Sequence, residues 1–337
     1  MNVMKTVLFF PYALRYLRKR YDMQDISYHT WYSHQCMLLG FQAFCQNTLR
    51  KDNLQLTDMD TALLQEYKQH CVQKGNMPVT VNRKLAPLLL VVKKAVADGL
   101  VPAATNESLR HVCCQLTPRR YGAEAGKMTN KDGDTVRYLD DSKLHSLLQY
   151  YKGLSDGPTR EVLELFLFSF HACGLRVSDV ITLEWSQILW EEASLSKVIV
   201  KTKTCLSLPL SDPALQILQR WRLRGSRFVF GLLPDNFNLE DDDALSRAID
   251  NRNRTLNRRL NAVGQSLGFP FPLGMHVARH TFAVKALNSA RIGVHLISRL
   301  LGHSSVMVTE KVYAKWLLPT LSKELKDRLS FLEYTIY

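Results

Sequence analysis

Hydrophobic residues recur at helical spacing through the first hundred residues of the chain. Residues 27–101 carry apolar side chains at i, i+3 and i+4, which predicts a compact set of helices. Ser27 or Thr30 is placed to cap the first of them, and the Gly-Asn-Met-Pro segment at residues 75–78 separates the second helix from the third. The pattern predicts a helical N-terminal domain over residues 26–104.

A second pattern begins near residue 137, where helical periodicity returns and is joined by alternation. Residues 197–200 and 205–210 alternate as two short strands around a tight turn, which predicts a β-hairpin. The acidic run at residues 240–243 is interpreted as a solvated loop. Helical periodicity marks three segments, residues 158–171, 251–268 and 277–290. The expected fold class is therefore mainly α with a small β-hairpin or sheet (α+β).

The remaining segments differ from the two domains in composition. Residues 105–136 contain few apolar residues and are rich in Gly, Lys, Asp and Asn, so we interpret them as an interdomain linker. Residues 1–25 form an N-terminal extension, and the second domain spans residues 137–319. A leucine stripe in residues 320–337 predicts a C-terminal helix that packs either on a neighbouring subunit or on its own domain.

The net charge of the chain predicts the class of its binding partner. The chain has 337 residues and a formal net charge of +13 at pH 7, which favours a polyanionic partner such as nucleic acid. A scattered, solvated basic surface is the alternative. On the third helix of the first domain, Arg83 and Lys84 are candidates for contact with DNA phosphates, although an exposed basic face explains them equally well.

The cysteines and the N-terminal residues indicate the cellular compartment in which the protein is expected. The seven cysteines are odd in number and include no Cys-x-x-Cys pair, which argues against a disulfide framework and a structural zinc site. The apolar patch at residues 7–10 is too short to cross a membrane. We expect a cytoplasmic bacterial protein associated with the nucleoid, with no membrane partner.

Candidate catalytic residues concentrate in two parts of the second domain. His276 and Arg279 are three residues apart and share one face of a helix start, and His303 follows a Leu-Gly turn. Arg176 follows a glycine that ends an apolar helix, and Tyr313 lies ten residues after His303. Guanidinium groups neutralise phosphate oxygens, imidazoles donate or move protons, and a phenol can attack phosphorus. These residue types suffice for phosphodiester chemistry, and we expect no metal or other cofactor.

The order Arg…His-x-x-Arg…His…Tyr resembles the signature of the tyrosine recombinase (phage integrase) family. The resemblance implies that Arg176, His276, Arg279 and His303 are catalytic and that Tyr313 is the nucleophile. It also implies a supporting role for Asp179, and a general acid on the hairpin turn. Lys201, eight residues before a proline, has the more usual spacing for that acid. Lys203 is the alternative, and otherwise a candidate for DNA contact. The motif gives His280 no catalytic role, and we interpret it as a buried structural histidine.

The same resemblance implies a function. A site-specific recombinase would bind double-stranded DNA at its recombination site as a homo-tetramer. It would cleave and rejoin DNA through a 3′-phosphotyrosyl bond and a Holliday junction, with accessory DNA-bending proteins as further partners. Integration or excision of a mobile element is the leading role, with chromosome-dimer resolution and DNA inversion as alternatives. A non-catalytic DNA-binding regulator and a type IB topoisomerase are rivals from other classes.

Overall fold

The computed structural model divides the chain into two compact units, Met1–Pro118 and Arg119–Tyr337. It describes residues 7–114, 136–288, 292–303, 305–310 and 312–313. The predicted C-terminal helix at residues 320–337, the first residues of the extension and most of the linker lie outside the described residues. No helix within the described residues is long and apolar enough to cross a membrane.

The first unit consists of helices joined by loops, with one isolated β-bridge, Leu8↔Gln55, among its described residues. Ser27 caps the second helix, since its Oγ accepts from the Thr30 N–H at 3.4 Å. Fully buried Phe41, Leu64 and Leu88 form part of a single apolar core. The helices are α1 (Phe9–Asp22), α2 (Tyr28–Asn47), α3 (Thr61–Gln73), α4 (Pro78–Ala97) and α5 (Ala103–Arg110).

This unit extends beyond residues 26–104 at both ends. Helix α1 lies in the segment interpreted as an extension, yet Phe9 and Leu17 are fully buried in the core. The Phe9 N–H donates to the Leu54 carbonyl at 2.8 Å, which ties α1 to the rest of the unit. Helix α5 occupies the start of the predicted linker, and its Leu109 is fully buried. The apolar patch at residues 7–10, which is too short to cross a membrane, therefore contributes to the core of the first unit.

The second unit combines helices with a small antiparallel sheet. The strands pair in the order β1–β2–β3, and β2 pairs with β3 from Ser194↔Pro209 to Val198↔Cys205. The strands are β1 (Ile188–Leu189), β2 (Ser194–Val198) and β3 (Cys205–Pro209). The helices are α6 (Asp141–Lys152), α7 (Pro158–His171), α8 (Val177–Ile181), α9 (Asp212–Arg222), α10 (Asp242–Ser266), α11 (Met275–Asn288) and α12 (Val294–Leu300). The fold class expected from the sequence is confirmed.

Two elements of the second unit differ from their predictions. The hairpin turn spans residues 199–204, longer than the tight turn expected, and β1 adds a strand that the alternation did not indicate. Helix α10 begins at Asp242, so the acidic run interpreted as a loop is a helix start. The Asp241 Oδ1 accepts from the Ala244 N–H at 2.9 Å, and carboxylates in the first turn complement the helix dipole.

Helix α7 is the central element of the second unit. Residues 162–169 are buried without interruption, and α7 packs against α9, α10 and α11. A helix that is apolar on every side is stable only inside a core. The C-terminal end of α7 and the start of α11 are thereby brought together, and these two places carry Arg176 and Arg279.

Candidate active site

Arg176 is positioned by a sharp reversal of the chain after α7. Cys173 and Gly174 both adopt left-handed backbone conformations, with φ of 54° and 72°. The chain then turns back so that Arg176 becomes the N-cap residue of α8. Its Nη2 donates to the Gly302 carbonyl at 3.0 Å, which fixes one edge of the guanidinium.

Arg279 lies beside it on α11 and is only 4% exposed. Its Nη1 donates to the Gly174 carbonyl at 2.8 Å, and its Nη2 donates to the Leu301 carbonyl at 2.6 Å. The carbonyls of the consecutive residues Leu301 and Gly302 therefore hold both guanidinium groups. Two cations are fixed close together by backbone groups, so neither arginine depends on a flexible side-chain partner.

The positive charge of this guanidinium pair is only partly compensated by neighbouring carboxylates. Burial, followed by the charge of Arg176, lowers the pKa of Arg279 to about 10, and burial also lowers the pKa of Arg176. The Arg176 Nη1 is buried and has no hydrogen-bond partner among the described residues. Asp179 offsets part of the charge. Since both groups stay protonated at neutral pH, the pair favours an anion with several acceptor oxygens.

Asp179 links α8 to the hairpin turn. It is fully buried, and its Oδ1 accepts from the Val200 N–H at 2.8 Å. Burial raises its pKa, while the Val200 N–H and the charges of Lys197 and Arg176 oppose that rise. Because Val200 directly precedes Lys201, the bond anchors the start of the turn that carries both candidate lysines.

Lys197 is a buried member of this network that sequence reasoning did not single out. It is 4% exposed, and its Nζ donates to the Thr182 carbonyl at 2.8 Å and to Gln187 Oε1 at 3.1 Å. Burial lowers its pKa and the Asp179 carboxylate opposes this. Lys197 shares the inward face of β2 with Leu195. A lysine in phase with an inward-facing leucine was the available signal for a buried cation.

The two candidate lysines of the hairpin turn have different surroundings. The Lys203 Nζ lies 3.6 Å from Asp242 Oδ1, and both side chains are well exposed. Lys201 is close enough to His276 and His303 for its charge to lower the pKa of both imidazoles. The turn therefore brings Lys201 to the cluster, while Lys203 pairs with the start of α10.

His303 follows the glycine that turns the chain after α12. Gly302 has a φ of 60°, and the His303 Nδ1 lies 2.7 Å from Thr309 Oγ1, which is fully buried. Burial, followed by Arg279 and Arg176, lowers the pKa of His303 to about 4, so the ring is neutral at pH 7. If the Thr309 hydroxyl donates to Nδ1, the proton of the neutral ring resides on Nε2, which can then donate to a ligand.

His276 and His280 lie against each other one turn apart on α11. Their ring centroids are 4.4 Å apart and the planes are nearly perpendicular, at 87°. Burial by surrounding atoms, followed by Arg279 and Arg176, lowers the pKa of His276. The His276 side chain is nevertheless exposed to solvent in part.

Tyr313 lies in an apolar cluster and contacts His280. Its side chain is 1% exposed, and its Oη lies 2.8 Å from His280 Nδ1. Burial raises the pKa of the phenol to about 12, and the charge of Arg279 opposes that rise. Sequence reasoning placed His280 outside the site, and the structure places it in direct contact with the candidate nucleophile. The i, i+4 spacing from His276 was the signal for it, because such residues share a helix face.

The polar groups of this cluster suit an anion. Its side chains offer guanidinium, ammonium and imidazole donors, and the Asp179 carboxylate is held by Val200 through Oδ1, while its Oδ2 has no hydrogen-bond partner among the described residues. Within the described ranges, no group of three or more His, Cys, Asp and Glu side chains is arranged to hold a metal ion. A phosphodiester could take donors from both arginines and from His303.

Arg83 and Lys84 lie on α4 in the first unit. Arg83 is exposed and Lys84 is half-buried. Their charges contribute to lowering the pKa of His34 and His70 respectively, after the burial of each ring. Contact of Arg83 and Lys84 with DNA phosphates stays a prediction.

A Gly174→Ala substitution is expected to destabilise the second unit. A Cβ there would lie 3.2 Å from the Arg279 Cα and 3.2 Å from Leu301 Cδ2, at a φ of 72°. A left-handed non-glycine residue costs about 1–3 kcal/mol, so the free energy of unfolding in urea should fall by about that amount. Gly153→Ala is the matched control, because Gly153 has an ordinary φ of –80° and a Cβ there would make only ordinary contacts, at 3.7 Å from the Tyr150 carbonyl oxygen. Equal stability of the two variants would contradict the argument.

The chain belongs to the phage integrase family. Residues 137–317 match the model of the phage integrase family, and residues 8–108 match the phage integrase SAM-like domain. The first match covers the whole cluster described above, from Arg176 to Tyr313. The resemblance seen in the order of arginines, histidines and tyrosine is thereby confirmed.

Among curated proteins, the chain is similar to tyrosine recombinases named XerC and XerD. It is 24% identical to XerD of Rickettsia bellii over 270 residues, which is 78% of this chain and 82% of the relative. It is 26% identical to XerD of Pseudomonas putida over 142 residues, 42% of this chain. That match covers 45% of the Pseudomonas protein, so the chain spans about half the length of this relative.

Solved structures share the fold. The Tn1549 transposon integrase, in complex with a circular intermediate DNA, superposes with a TM-score of 0.66 at 15% identity, covering 94% of this chain and 98% of that one. A lambda integrase dimer bound to a core site gives a TM-score of 0.63 at 17% identity, covering 93% and 79%. At these identities the likeness concerns the fold.

Proposed function

We propose that this protein is a site-specific DNA recombinase of the integrase type, which cleaves and rejoins DNA through a tyrosine. The observation that carries the proposal is the pair of guanidinium groups held by the carbonyls of Leu301 and Gly302, with Arg279 close enough to Tyr313 to affect its pKa. A pair of fixed cations beside a phenol supplies both charge stabilisation and a nucleophile for a phosphodiester.

The proposed reaction begins when Arg176 and Arg279 bind the non-bridging oxygens of the scissile phosphate. The Tyr313 Oη attacks phosphorus, its phenol proton passes to His276, and the bond from phosphorus to the 5′ oxygen breaks. Lys201 gives a proton to that oxygen, leaving a 5′-hydroxyl and a 3′-phosphotyrosyl bond. Attack by a 5′-hydroxyl on the phosphotyrosine reverses the steps and rejoins the strand. Phosphate and nucleophile meet after local opening, because Arg279 and Tyr313 are 4% and 1% exposed.

His303 is proposed as a neutral hydrogen-bond donor to the phosphate. The pKa of His303 lies near 4, so its ring stays neutral through small changes in pH near neutrality, and with Thr309 donating to Nδ1 its Nε2–H is available. Donation strengthens as negative charge develops on the phosphate oxygens in the transition state. Asp179 supports the arrangement by anchoring the turn that carries Lys201.

The biological reaction we propose is integration or excision of a mobile element. The partners would be double-stranded DNA at a specific site, three further copies of this chain, and accessory DNA-bending proteins. Chromosome-dimer resolution or DNA inversion would use the same site. Sequencing the products formed between pairs of DNA fragments separates these outcomes, since each arranges the flanking sequences differently.

A Tyr313→Phe variant tests the proposal directly. Fragments of DNA flanking the gene are incubated with the wild-type protein and with Tyr313→Phe, then resolved on a denaturing gel. We expect a covalent protein–DNA adduct with the wild type and none with the variant, since phenylalanine has no nucleophilic oxygen. Tight binding by both proteins without any adduct would favour a DNA-binding regulator, and relaxation of plasmids without site preference would favour a topoisomerase.

A further inference from the structure

Lys197 is a buried cation that the proposed reaction does not use. Its Nζ donates to the Thr182 carbonyl at 2.8 Å and to Gln187 Oε1 at 3.1 Å, and its side chain lies on the inward face of β2. Burying an ammonium costs free energy that its new contacts only partly offset. A methionine would fill the same position without that cost, so packing alone does not account for the charge.

Both acceptors of Lys197 lie on the segment that begins with Arg176. Helix α8 has Arg176 as its N-cap residue and Thr182 as its C-cap residue. A short 3₁₀ helix at residues 185–187 follows, and Gln187 is its last residue. Lys197 therefore attaches strand β2 to the segment that starts at one of the two arginines proposed to bind the phosphate.

A second attachment joins the same two segments. The Asp179 Oδ1 accepts from the Val200 N–H at 2.8 Å. Val200 lies three residues after Lys197 on one segment. On the other segment, Thr182 lies three residues after Asp179. A single hydrogen bond allows two segments to pivot about it, whereas two bonds at separate points also fix their direction. Both attachments therefore help to set the position of Lys201, which directly follows Val200.

The two attachments support each other electrostatically. Burial raises the pKa of Asp179, and the Val200 N–H and the charge of Lys197 oppose that rise. Burial lowers the pKa of Lys197, and the charge of Asp179 opposes this in turn. Each charge thus favours the ionised form of the other, and an ionised carboxylate is the stronger acceptor for the Val200 N–H. Removing the ammonium is therefore expected to weaken both attachments.

We propose that Lys197 is a positioning residue, which holds the hairpin turn where the Lys201 ammonium can reach the 5′ oxygen of the scissile phosphate. The inference rests on the proposed recombinase function, in which Lys201 is the general acid. Lys197 does not itself give the proton, because its Nζ is buried against Thr182 and Gln187. A general acid acts within about 3.2 Å of its target, so a small displacement of the turn slows proton transfer.

The test uses Lys197→Met, which keeps the apolar length of the side chain and removes the ammonium. On DNA with the natural 5′ oxygen, we expect single-turnover cleavage at saturating protein to slow about tenfold or more, since the acid is misplaced. On DNA with a bridging 5′ sulfur, the variant should match the wild type, because a thiolate leaves without a proton. Lys152→Met, at an exposed position of α6, is the matched control and should equal the wild type on both substrates.

Two more variants separate positioning from a general loss of structure. In Lys201→Ala there is no acid left to position, so adding Lys197→Met should slow cleavage no further. Gln187→Ala removes one acceptor from outside the strand and should show the same selective loss, even if Lys197→Met does not fold. Without DNA, amide hydrogen exchange at Val200 should be faster in Lys197→Met than in the wild type, because its hydrogen bond to Asp179 opens more often.

The outcomes distinguish a failure of this inference from a failure of the recombinase proposal. Cleavage by Lys197→Met at the wild-type rate, or slowed equally on the oxygen and sulfur substrates, overturns the positioning role. An additive loss in the double variant overturns it too, as does unchanged exchange of the Val200 amide. If the wild type forms adducts but sulfur does not rescue Lys201→Ala, Lys197 has no acid to position and the inference fails. An absence of adducts with the wild type on every fragment overturns the recombinase proposal itself.

Discussion

An Arg279→Ala variant is expected to form no detectable covalent adduct, with a cleavage rate lower by about 10³-fold or more. In the wild type, the Arg279 guanidinium places a positive charge beside Arg176 and Tyr313 in a buried site, where electrostatic stabilisation is strong. The substitution also leaves the carbonyls of Gly174 and Leu301 without their donor. A buried unsatisfied group costs about 1–3 kcal/mol, so the free energy of unfolding should fall as well.

Two further variants separate the loss of charge from the loss of structure. Arg279→Lys keeps the charge but cannot reproduce the fork that reaches two carbonyls, so we expect partial recovery of stability and little recovery of cleavage. Arg299→Ala, at an exposed position of α12, should change neither the free energy of unfolding nor the cleavage rate. Adduct formation is measured on denaturing gels, DNA binding by electrophoretic mobility shift, and stability in urea. Normal cleavage by Arg279→Ala would refute its assignment to the phosphate.

A Lys201→Ala variant is expected to cleave about 10²–10⁴-fold more slowly than the wild type. The 5′ oxygen of DNA is a poor leaving group without a proton, and Lys201 is the hairpin lysine whose charge reaches the site histidines. A substrate with a bridging 5′ sulfur should restore the rate, because a thiolate leaves without protonation. Single-turnover adduct formation on the two substrates measures the effect.

Lys203→Ala is the matched control for that experiment. Its exposed ion pair with Asp242 contributes about 0–1 kcal/mol at most, so stability and cleavage should stay close to those of the wild type. If the sulfur substrate rescues Lys203→Ala and has no effect on Lys201→Ala, the general acid is Lys203.

Most helices were predictable because their apolar period is strong. Helix α4 was expected to follow the break at residues 75–78 and is found at Pro78–Ala97, and α7 was expected at the residues it occupies. In both, a run of apolar residues is bounded by proline or glycine, so the local signal and the packing agree. The hairpin was also found, since its two strands alternate in register with a buried face.

Two segments were not predicted as helices because their local sequence patterns are weak without tertiary contacts. Helix α1 has only Phe9, Phe10, Ala13 and Leu17 to bury, and these become core residues once α2 lies beside them. Helix α10 begins with acidic residues that look like a loop when considered alone. The Asp241 cap and the helix dipole make the same residues a favourable helix start.

The amino-acid sequence alone determined the fold class, the family and the residue types available to a phosphodiester, because periodicity and motif order are properties of the chain. Tertiary structure decided which of those residues meet. Residues 301–302 are far from both arginines in sequence, yet their carbonyls hold Arg176 and Arg279 together. Likewise the sequence placed Lys201 and Lys203 on one turn, and only packing of that turn against α10 distinguishes their partners. The contact between His280 and Tyr313 depends on which helix face is covered, and spacing along one chain does not specify what packs against that face.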